Sequence, residues 1–81
     1  MASSNRRKSL ERLSNSFRFG HQEGILGEIE ILINNGAKFD SIKRSIKSRS
    51  KREGVSPKET RKRVKEAFKA WRKVLRKQGK L

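Results

Sequence analysis

Basic side chains recur at helical spacing through residues 58–76, and phosphate binding is the chemistry that such a pattern can perform. With Trp71 taken as the zero direction, five of them fall between about 100° and 160° around a helix. These are Lys58, Lys65, Lys69, Arg72 and Arg76, with Lys62 and Lys73 at the edge of the face and Arg61 on the same helix. The stripe extends over about 27 Å, which is long enough to meet several phosphates of a duplex.

A solvated helix face held by ion pairs at i,i+4 spacing is the alternative interpretation of this stripe. Glu59 and Glu66 are the acidic residues of the segment, and they face ten basic residues at positions 58–77. Two carboxylates cannot neutralise ten cations, and like charges four residues apart repel one another. The composition therefore favours binding to a polyanion.

A second basic run occupies residues 41–52, where serines are interleaved with lysines and arginines. Lysine and arginine neutralise phosphates, and small hydroxyl groups hydrogen-bond to them. The bases assigned to this run are Lys43, Arg44, Lys47, Arg49, Lys51 and Arg52. A disordered basic linker or a nuclear-localisation segment is the alternative for this run.

The sequence carries no pattern typical of an enzyme or a metal site. His21 is the single histidine, cysteine is absent, and no nucleophile–base pair, phosphate loop or pair of acids has a useful spacing. We therefore expect a non-enzymatic protein without cofactor, metal or small-molecule substrate, in which His21 lies at the surface or caps a helix. Residues 6–9, Arg-Arg-Lys-Ser, suit basophilic kinases, although this pattern is common by chance.

The aromatic residues bear on the type of nucleic acid. Stacking on unpaired bases would need exposed aromatic side chains on a basic surface. Phe68 and Trp71 instead belong to the apolar stripe of the last segment, so we expect them in the core. This expectation favours recognition of a duplex through its backbone or its shape.

Charge is distributed unevenly along the 81 residues. Residues 1–37 hold five bases and four acids, a net charge of +1, whereas residues 38–81 hold the other 18 bases and four acids, a net charge of +14. We expect a single domain in which residues 1–8 form a flexible tail, residues 9–37 pack and residues 38–81 bind nucleic acid.

Apolar spacing predicts two helices in the first half. Residues 4–19 form a short helix that stops at Gly20, with the stripe Leu10, Leu13 and Phe17. Residues 22–35 are the most apolar segment. We favour a helix that ends at Gly36 over a hairpin, because no third strand is visible to complete a sheet.

The second half predicts two basic helices. Residues 40–53 form a weak helix with Asp40 as its N-cap. Residues 56–78 begin with the capping box Ser56-Pro57-Lys58-Glu59, and Gly79 ends the helix. Its apolar stripe is Val64, Ala67, Phe68, Trp71, Val74 and Leu75. The predicted fold is all-α, a small bundle of three to four helices with a long basic amphipathic helix at the C-terminus.

The apolar content is thin for a lone domain of this size, which predicts either a dimer or a segment that stays disordered until its partner binds. We expect a homodimer assembled through the face of Ile25, Leu26, Ile29, Leu32 and Ile33, with Ile31 pointing away. The last helix would assist through its Trp71 stripe. Burial of a few such side chains would offset the repulsion between two highly positive chains.

The favoured function is sequence-independent binding of nucleic acid, with duplex or structured RNA ahead of DNA because asparagine and glutamine are scarce in the basic helices. A helix-turn-helix regulator of DNA is the first alternative, and a basic interaction or membrane-surface module is the second. We expect an intracellular protein, because residues 1–13 are unlike a secretory signal and no apolar span is present. In size and charge the chain resembles small viral RNA-binding proteins, phage DNA-binding proteins and basic ribosome-associated proteins, and no motif selects among them.

Overall fold

The structure, a computed structural model, describes residues 2–81, and their side chains from Arg7 onward. This part of the chain contains four α-helices and no strand. The helices are α1 (Ala2–Phe19), α2 (Gln22–Asn34), α3 (Phe39–Arg52) and α4 (Pro57–Lys77). The predicted all-α fold with a long last helix is confirmed, as is the helix, rather than a hairpin, at residues 22–35. The predicted tail at 1–8 overlaps α1 from Ala2 onward, and its flexibility stays a prediction.

Each of the four helices is followed by a glycine with a positive φ angle, namely Gly20, Gly36, Gly54 and Gly79. After α2, the N–H of Gly36 donates to the carbonyl of Ile33 and the N–H of Ala37 donates to that of Leu32, both at 3.0 Å. This Schellman arrangement satisfies carbonyls that the helix leaves unpaired. The predicted stops at Gly20, Gly36 and Gly79 are confirmed.

The start of α4 also follows the sequence pattern. Ser56 is the N-cap, and its hydroxyl oxygen accepts a hydrogen bond from the backbone N–H of Glu59 at 3.1 Å. Pro57 occupies the first helical position, where its missing N–H costs nothing. This cap fixes where the most basic helix of the chain begins.

The start of α3 differs from the prediction that Asp40 is its N-cap. Lys38 is the N-cap, without a side-chain capping bond, and Asp40 lies inside the first turn. Phe39 is thus the first residue of the helix, and its ring packs against Phe68 of α4 with 5.1 Å between ring centroids. The Asp40 carboxylate then acts on the positive end of the helix dipole instead of capping an N–H.

The helices contact one another in a closed cycle, in which α1 packs on α2, α2 on α4, α4 on α3 and α3 on α1. The first two form an antiparallel hairpin, since Gly24 of α2 lies directly against Ser16 of α1. In such a cycle the side formed by α1 and α3 lies opposite the side formed by α2 and α4.

The core lies inside this single cycle of helices. Its buried hydrophobic side chains come from all four helices and the loop before α3: Leu13, Ile25, Ile29, Leu32, Ile33, Ala37, Ile42, Ile46, Ala67, Ala70 and Val74. Ile29 has no exposed surface, whereas Ile31 is 36% exposed, as its position on the helix predicted. The face of α2 assigned to a dimer interface is therefore the inner face of one chain. The oligomeric state itself stays a prediction.

The buried face of α4 is rotated from the predicted one. Its most buried residues are Arg63, Ala67, Ala70 and Val74, centred about 70° from the Trp71 direction. Phe68, expected in the core, is 44% exposed. The small alanines allow α4 to approach the bundle closely, so the large aromatic side chains lie at the edge of the contact instead of at its centre.

Candidate nucleic-acid interface

The outward surface of α4, which we call the α4 face, carries every basic residue that the sequence assigned to this helix. All eight side chains are exposed: Lys58, Arg61, Lys62, Lys65, Lys69, Arg72, Lys73 and Arg76. The helix runs without interruption from Pro57 to Lys77, so these cations form a continuous strip along one side of the molecule. Because the helix is uninterrupted, it holds these cations at a fixed spacing, and they can contact the regularly spaced phosphates of a duplex.

Carboxylates do not neutralise the α4 face. Where the structure describes side chains, the single ion pair joins Arg18 to Glu53, at 2.7 Å, and none involves a base of α4. Glu59 lies in the first turn, where its charge favours the helix N-terminus, and Glu66 is half-buried. The arrangement lacks the i,i+4 ion pairs that the alternative interpretation of the stripe required.

The six bases predicted on α3 divide into two groups. Phe39 and Ser50 both contact α4, which marks the flank of α3 that faces that helix. By helical spacing, three lysines follow this flank toward solvent, at about 30°, 70° and 110° from it; we call them the lysine row, Lys43, Lys47 and Lys51. The three arginines, Arg44, Arg49 and Arg52, instead line a groove against α1. Lys43 and Arg49 are half-buried and the other four are exposed.

The groove between α1 and α3, which we call the arginine groove, is a feature that the sequence did not predict. Its volume is about 440 Å³, and its lining residues are Arg7, Leu10, Arg44, Ser45, Ser48, Arg49 and Arg52. Four guanidinium groups and two hydroxyls form a donor set suited to phosphate oxygens. Arg7 was assigned to the flexible tail, and only the packing of α1 on α3 brings it to this site.

A second groove, between α2 and α4, extends the α4 face sideways. It has a volume of about 630 Å³, and it is lined by Gln22, Ile25, Leu26, Glu66, Lys69, Ala70, Arg72, Lys73 and Arg76. Four of these residues are basic and one is acidic. The predicted unit of Lys65, Lys69, Arg72 and Arg76 therefore has three of its members at this groove.

Three aromatic rings lie where α3 meets α4. Phe39 makes edge-to-face contacts with Phe68 at 5.1 Å and with Trp71 at 5.6 Å between ring centroids. The guanidinium of Arg72 lies 5.9 Å from the centroid of the Phe68 ring. The exposed side of Phe68 thus opens into the basic surface, which corrects the expectation that no aromatic side chain would lie there.

Arg63 does not belong to the basic surface, although it was counted among the ten bases of this segment. Its side chain is buried, with 7% of the residue exposed, and it donates a hydrogen bond of 3.4 Å to the hydroxyl of Ser50. The guanidinium also lies 5.8 Å from the centroid of the Phe17 ring. Ser50 and Phe17 lie near the C-terminal ends of α3 and α1, whose partial negative charges favour a cation between them.

Ser9 and Glu28 form a buried polar contact between α1 and α2. Ser9 is 1% exposed, and its hydroxyl hydrogen-bonds to the Glu28 carboxyl. Burial raises the pKa of Glu28, while the nearby Arg12 charge and the Ser9 hydrogen bond act in the opposite direction. Ser9 in the folded chain is therefore not accessible to a kinase, contrary to what residues 6–9 suggested.

Other classes of site find little support in the described part of the chain. His21 is exposed and occupies the N-cap position of α2, in agreement with its predicted place. No group of three or more acidic or histidine side chains among residues described here could hold a metal ion. Within residues 2–81, no helix combines the length and the apolar character needed to cross a bilayer.

Comparison of the chain with protein-family models, with curated protein sequences and with solved structures finds no match in any of the three.

Proposed function

We propose that this protein binds nucleic acids through their phosphate backbone, without reading base sequence, using the α4 face together with the lysine row of α3. The observation that carries the proposal is the strip of eight exposed cations on α4, none of which is paired with a carboxylate. Keeping so many like charges together on one rigid helix costs electrostatic free energy. A polyanion offsets that cost when it binds.

The dimensions of the strip match a nucleic-acid backbone. From Lys58 to Arg76 the helix rises about 27 Å at 1.5 Å per residue, and duplex DNA carries one phosphate charge per roughly 1.7 Å of axis. The lysine row adds three cations beside the strip. A surface of this extent is able to contact about six phosphates at once, and release of their counterions supplies the binding free energy.

Sequence independence follows from the scarcity of amide side chains. Neither α3 nor α4 contains asparagine or glutamine, the residues that pair with both hydrogen-bonding positions of adenine. Gln78, just after α4, donates its amide to the side chain of Asn34 at 3.0 Å and is thereby engaged within the protein. The same scarcity is the reason to place structured RNA ahead of DNA, because the major groove of RNA helices is closed to side chains.

The geometry disfavours the two alternatives, a helix-turn-helix regulator of DNA and a membrane-surface module. A sequence-specific regulator that reads adenine would need asparagine or glutamine on α4, whose exposed residues are mostly lysine and arginine and include neither. A membrane-surface module would need the apolar side of α4 to be free, but Ala67, Ala70 and Val74 are buried against the bundle. We therefore keep both as outcomes of the experiment.

The test is a four-site variant in which Lys65, Lys69, Arg72 and Arg76 are changed to Ala. We expect its affinity for a short duplex to fall by roughly two orders of magnitude or more at constant salt, because about four phosphate contacts are lost. Helix content should be unchanged, since alanine is the best helix former. The readout is a competition shift assay with duplex RNA, duplex DNA and single strands of equal length.

A matched control removes the same four charges from other exposed positions. In the control variant Lys8, Lys38, Lys77 and Lys80 are changed to Ala, and we expect a loss no greater than about tenfold, because only long-range attraction is reduced. Equal losses in both variants would show that net charge, not the α4 face, is responsible. Binding to anionic vesicles without binding to nucleic acid would select the membrane alternative.

A further inference from the structure

The arginine groove lies on the opposite side of the bundle from the groove between α2 and α4. Residues of α1 and α3 line the first, and residues of α2 and α4 line the second. In the cycle of helix contacts these two pairs share no helix and form opposite sides. One chain therefore presents a basic groove on each of two opposite sides of the bundle.

Each surface has enough donors to hold a backbone by itself. Arg7, Arg44, Arg49 and Arg52 contribute four guanidinium groups to the arginine groove, and the hydroxyls of Ser45 and Ser48 lie among them. Guanidinium groups bind phosphate oxygens in pairs of parallel hydrogen bonds, which makes a cluster of arginines a stronger phosphate site than the same number of lysines. The opposite groove contributes Lys69, Arg72, Lys73 and Arg76.

The thickness of the molecule permits both surfaces to be occupied together. Even along its shortest principal axis the bundle measures 21 Å. The Debye length is about 8 Å at physiological salt, so phosphates held on opposite sides repel each other only weakly. A bound backbone on one side neutralises part of the +15 charge but does not obstruct the other side.

We propose that a single chain bridges two nucleic-acid segments, one held in the arginine groove and the other on the side formed by α2 and α4. The inference rests on the proposed nucleic-acid binding and adds to it a second site and a consequence, the joining of separate duplexes. The chemistry recognised on both sides is the phosphodiester backbone. Bridging of this kind brings distant segments of a long nucleic acid together and compacts it.

The experiment uses two short duplexes of identical sequence, one labelled with a fluorescence donor and the other with an acceptor. Added protein should produce energy transfer between them, and the signal should rise and then fall with increasing protein. The fall is expected because, at excess protein, each duplex occupies a different chain. Binding of each duplex alone is measured in parallel at the same salt.

Two triple variants separate the groove from net charge. The first changes Arg44, Arg49 and Arg52 to Gln, and the second changes Lys38, Lys77 and Lys80, which are exposed and line neither groove, to Gln. Both remove three positive charges, and circular dichroism verifies that both remain folded. At concentrations that saturate binding to one duplex, the lysine variant should retain energy transfer and the arginine variant should lose it.

Several outcomes would overturn the bridging proposal. Energy transfer of equal strength in the two variants would show that the arginine groove is not the second site. A wild-type protein that binds one duplex and gives no energy transfer would contradict bridging while leaving the proposed function intact. A protein that binds neither duplex would contradict both proposals. Bridging by a dimer that uses one surface per chain would persist in the arginine variant, and sedimentation of that variant would reveal the dimer.

Discussion

At the scale of single residues, Glu28 is the carboxyl group whose environment disfavours its charge. One of its carboxylate oxygens is buried without a hydrogen-bond partner among the described residues, and burial raises its pKa above the ordinary value of 4.5. The folded state therefore binds this proton more tightly than the unfolded state does. Stability falls as pH rises from about 4.5 through the raised pKa, and the penalty persists at neutral pH.

The prediction concerns the change Glu28→Gln, which removes the buried charge and keeps a similar shape. At pH 7 the variant should have a higher free energy of unfolding than the wild type, because the desolvation cost is absent. The advantage should shrink as pH falls through the raised pKa and should be lost below about 4.5, where the wild-type group is protonated in the folded and the unfolded state. Urea unfolding monitored by circular dichroism over a pH series gives this difference.

Glu23→Gln is the matched control, since it makes the same charge change on an exposed residue of α2. Glu23 lies in the first turn, where its charge favours the helix dipole, so this variant should be unchanged or slightly less stable at pH 7. Identical pH profiles for the two variants would contradict the role assigned to Glu28.

Residue-scale features of the site were only partly predictable from the sequence. Exposure of the α4 bases follows directly from helical spacing, because one face of the helix is apolar and must be buried. The burial of Arg63 does not, because its partners Ser50 and Phe17 come from two other helices. Phe68 was predicted in the core because the large apolar residues were used to locate the buried face of α4. The centre of that face instead consists of Ala67 and Ala70.

At the scale of elements, the contact between α1 and α2 depends on a glycine. A Cβ atom built on Gly24 would lie 2.6 Å from the hydroxyl oxygen and 3.3 Å from the Cβ of Ser16. One built on Gly27, in the same helix, would have no neighbour within 4 Å. A side chain at Gly24 would therefore collide with α1, whereas a side chain at Gly27 would point into open space.

Gly27→Ala should raise the free energy of unfolding by about 0.5–1 kcal/mol, because alanine is the better helix former and nothing obstructs its methyl group. Gly24→Ala should be less stable than Gly27→Ala by about 1 kcal/mol or more, since the added methyl group must displace Ser16. Adding Ser16→Ala to the Gly24→Ala variant removes the nearest atom, the hydroxyl oxygen, and should recover part of the lost stability. Chemical denaturation of the four proteins measures it, and equal effects at both glycines would refute the close approach.

The element boundaries were largely predictable because glycine, proline and serine mark them by local rules. Gly20, Gly36 and Gly79 end helices where expected, and Ser56 starts α4 as its capping box predicted. The predicted start of α3 was wrong because Asp40 is a good cap by local preference, whereas the helix already includes Phe39, whose ring packs against α4. A tertiary contact of this kind is not visible in the local sequence.

At the scale of the whole molecule, a thin hydrophobic composition still encloses a core within one chain. The apolar face of α2 is covered by α1 and α4 within one chain, and the homodimer stays a prediction. The charge asymmetry predicted a packing half and a binding half, but core residues such as Ile46 and Val74 also come from the basic half, and its binding stays a prediction. Arg7, from the nearly neutral half, lines the arginine groove.

The neighbour relations of the helices could not be predicted from spacing alone. Four amphipathic helices can pack around one core in several arrangements. The same pattern of apolar residues is compatible with each of them, so it does not determine which helices are neighbours. The arginine groove exists because α1 returns to lie against α3. The proposed bridging therefore depends on the assembled bundle, whereas the proposed backbone binding follows from the composition of α4 alone.

Binding to about six phosphates through the α4 face and the lysine row would make the affinity depend steeply on salt concentration. For the wild type on a duplex, log affinity should fall with log salt concentration at a slope of about −5, and the four-site variant should lose about 3.6 of that slope through four missing contacts. A wild-type slope shallower than about −2 would contradict binding to about six phosphates, and the same slope in both proteins would contradict binding through the α4 face.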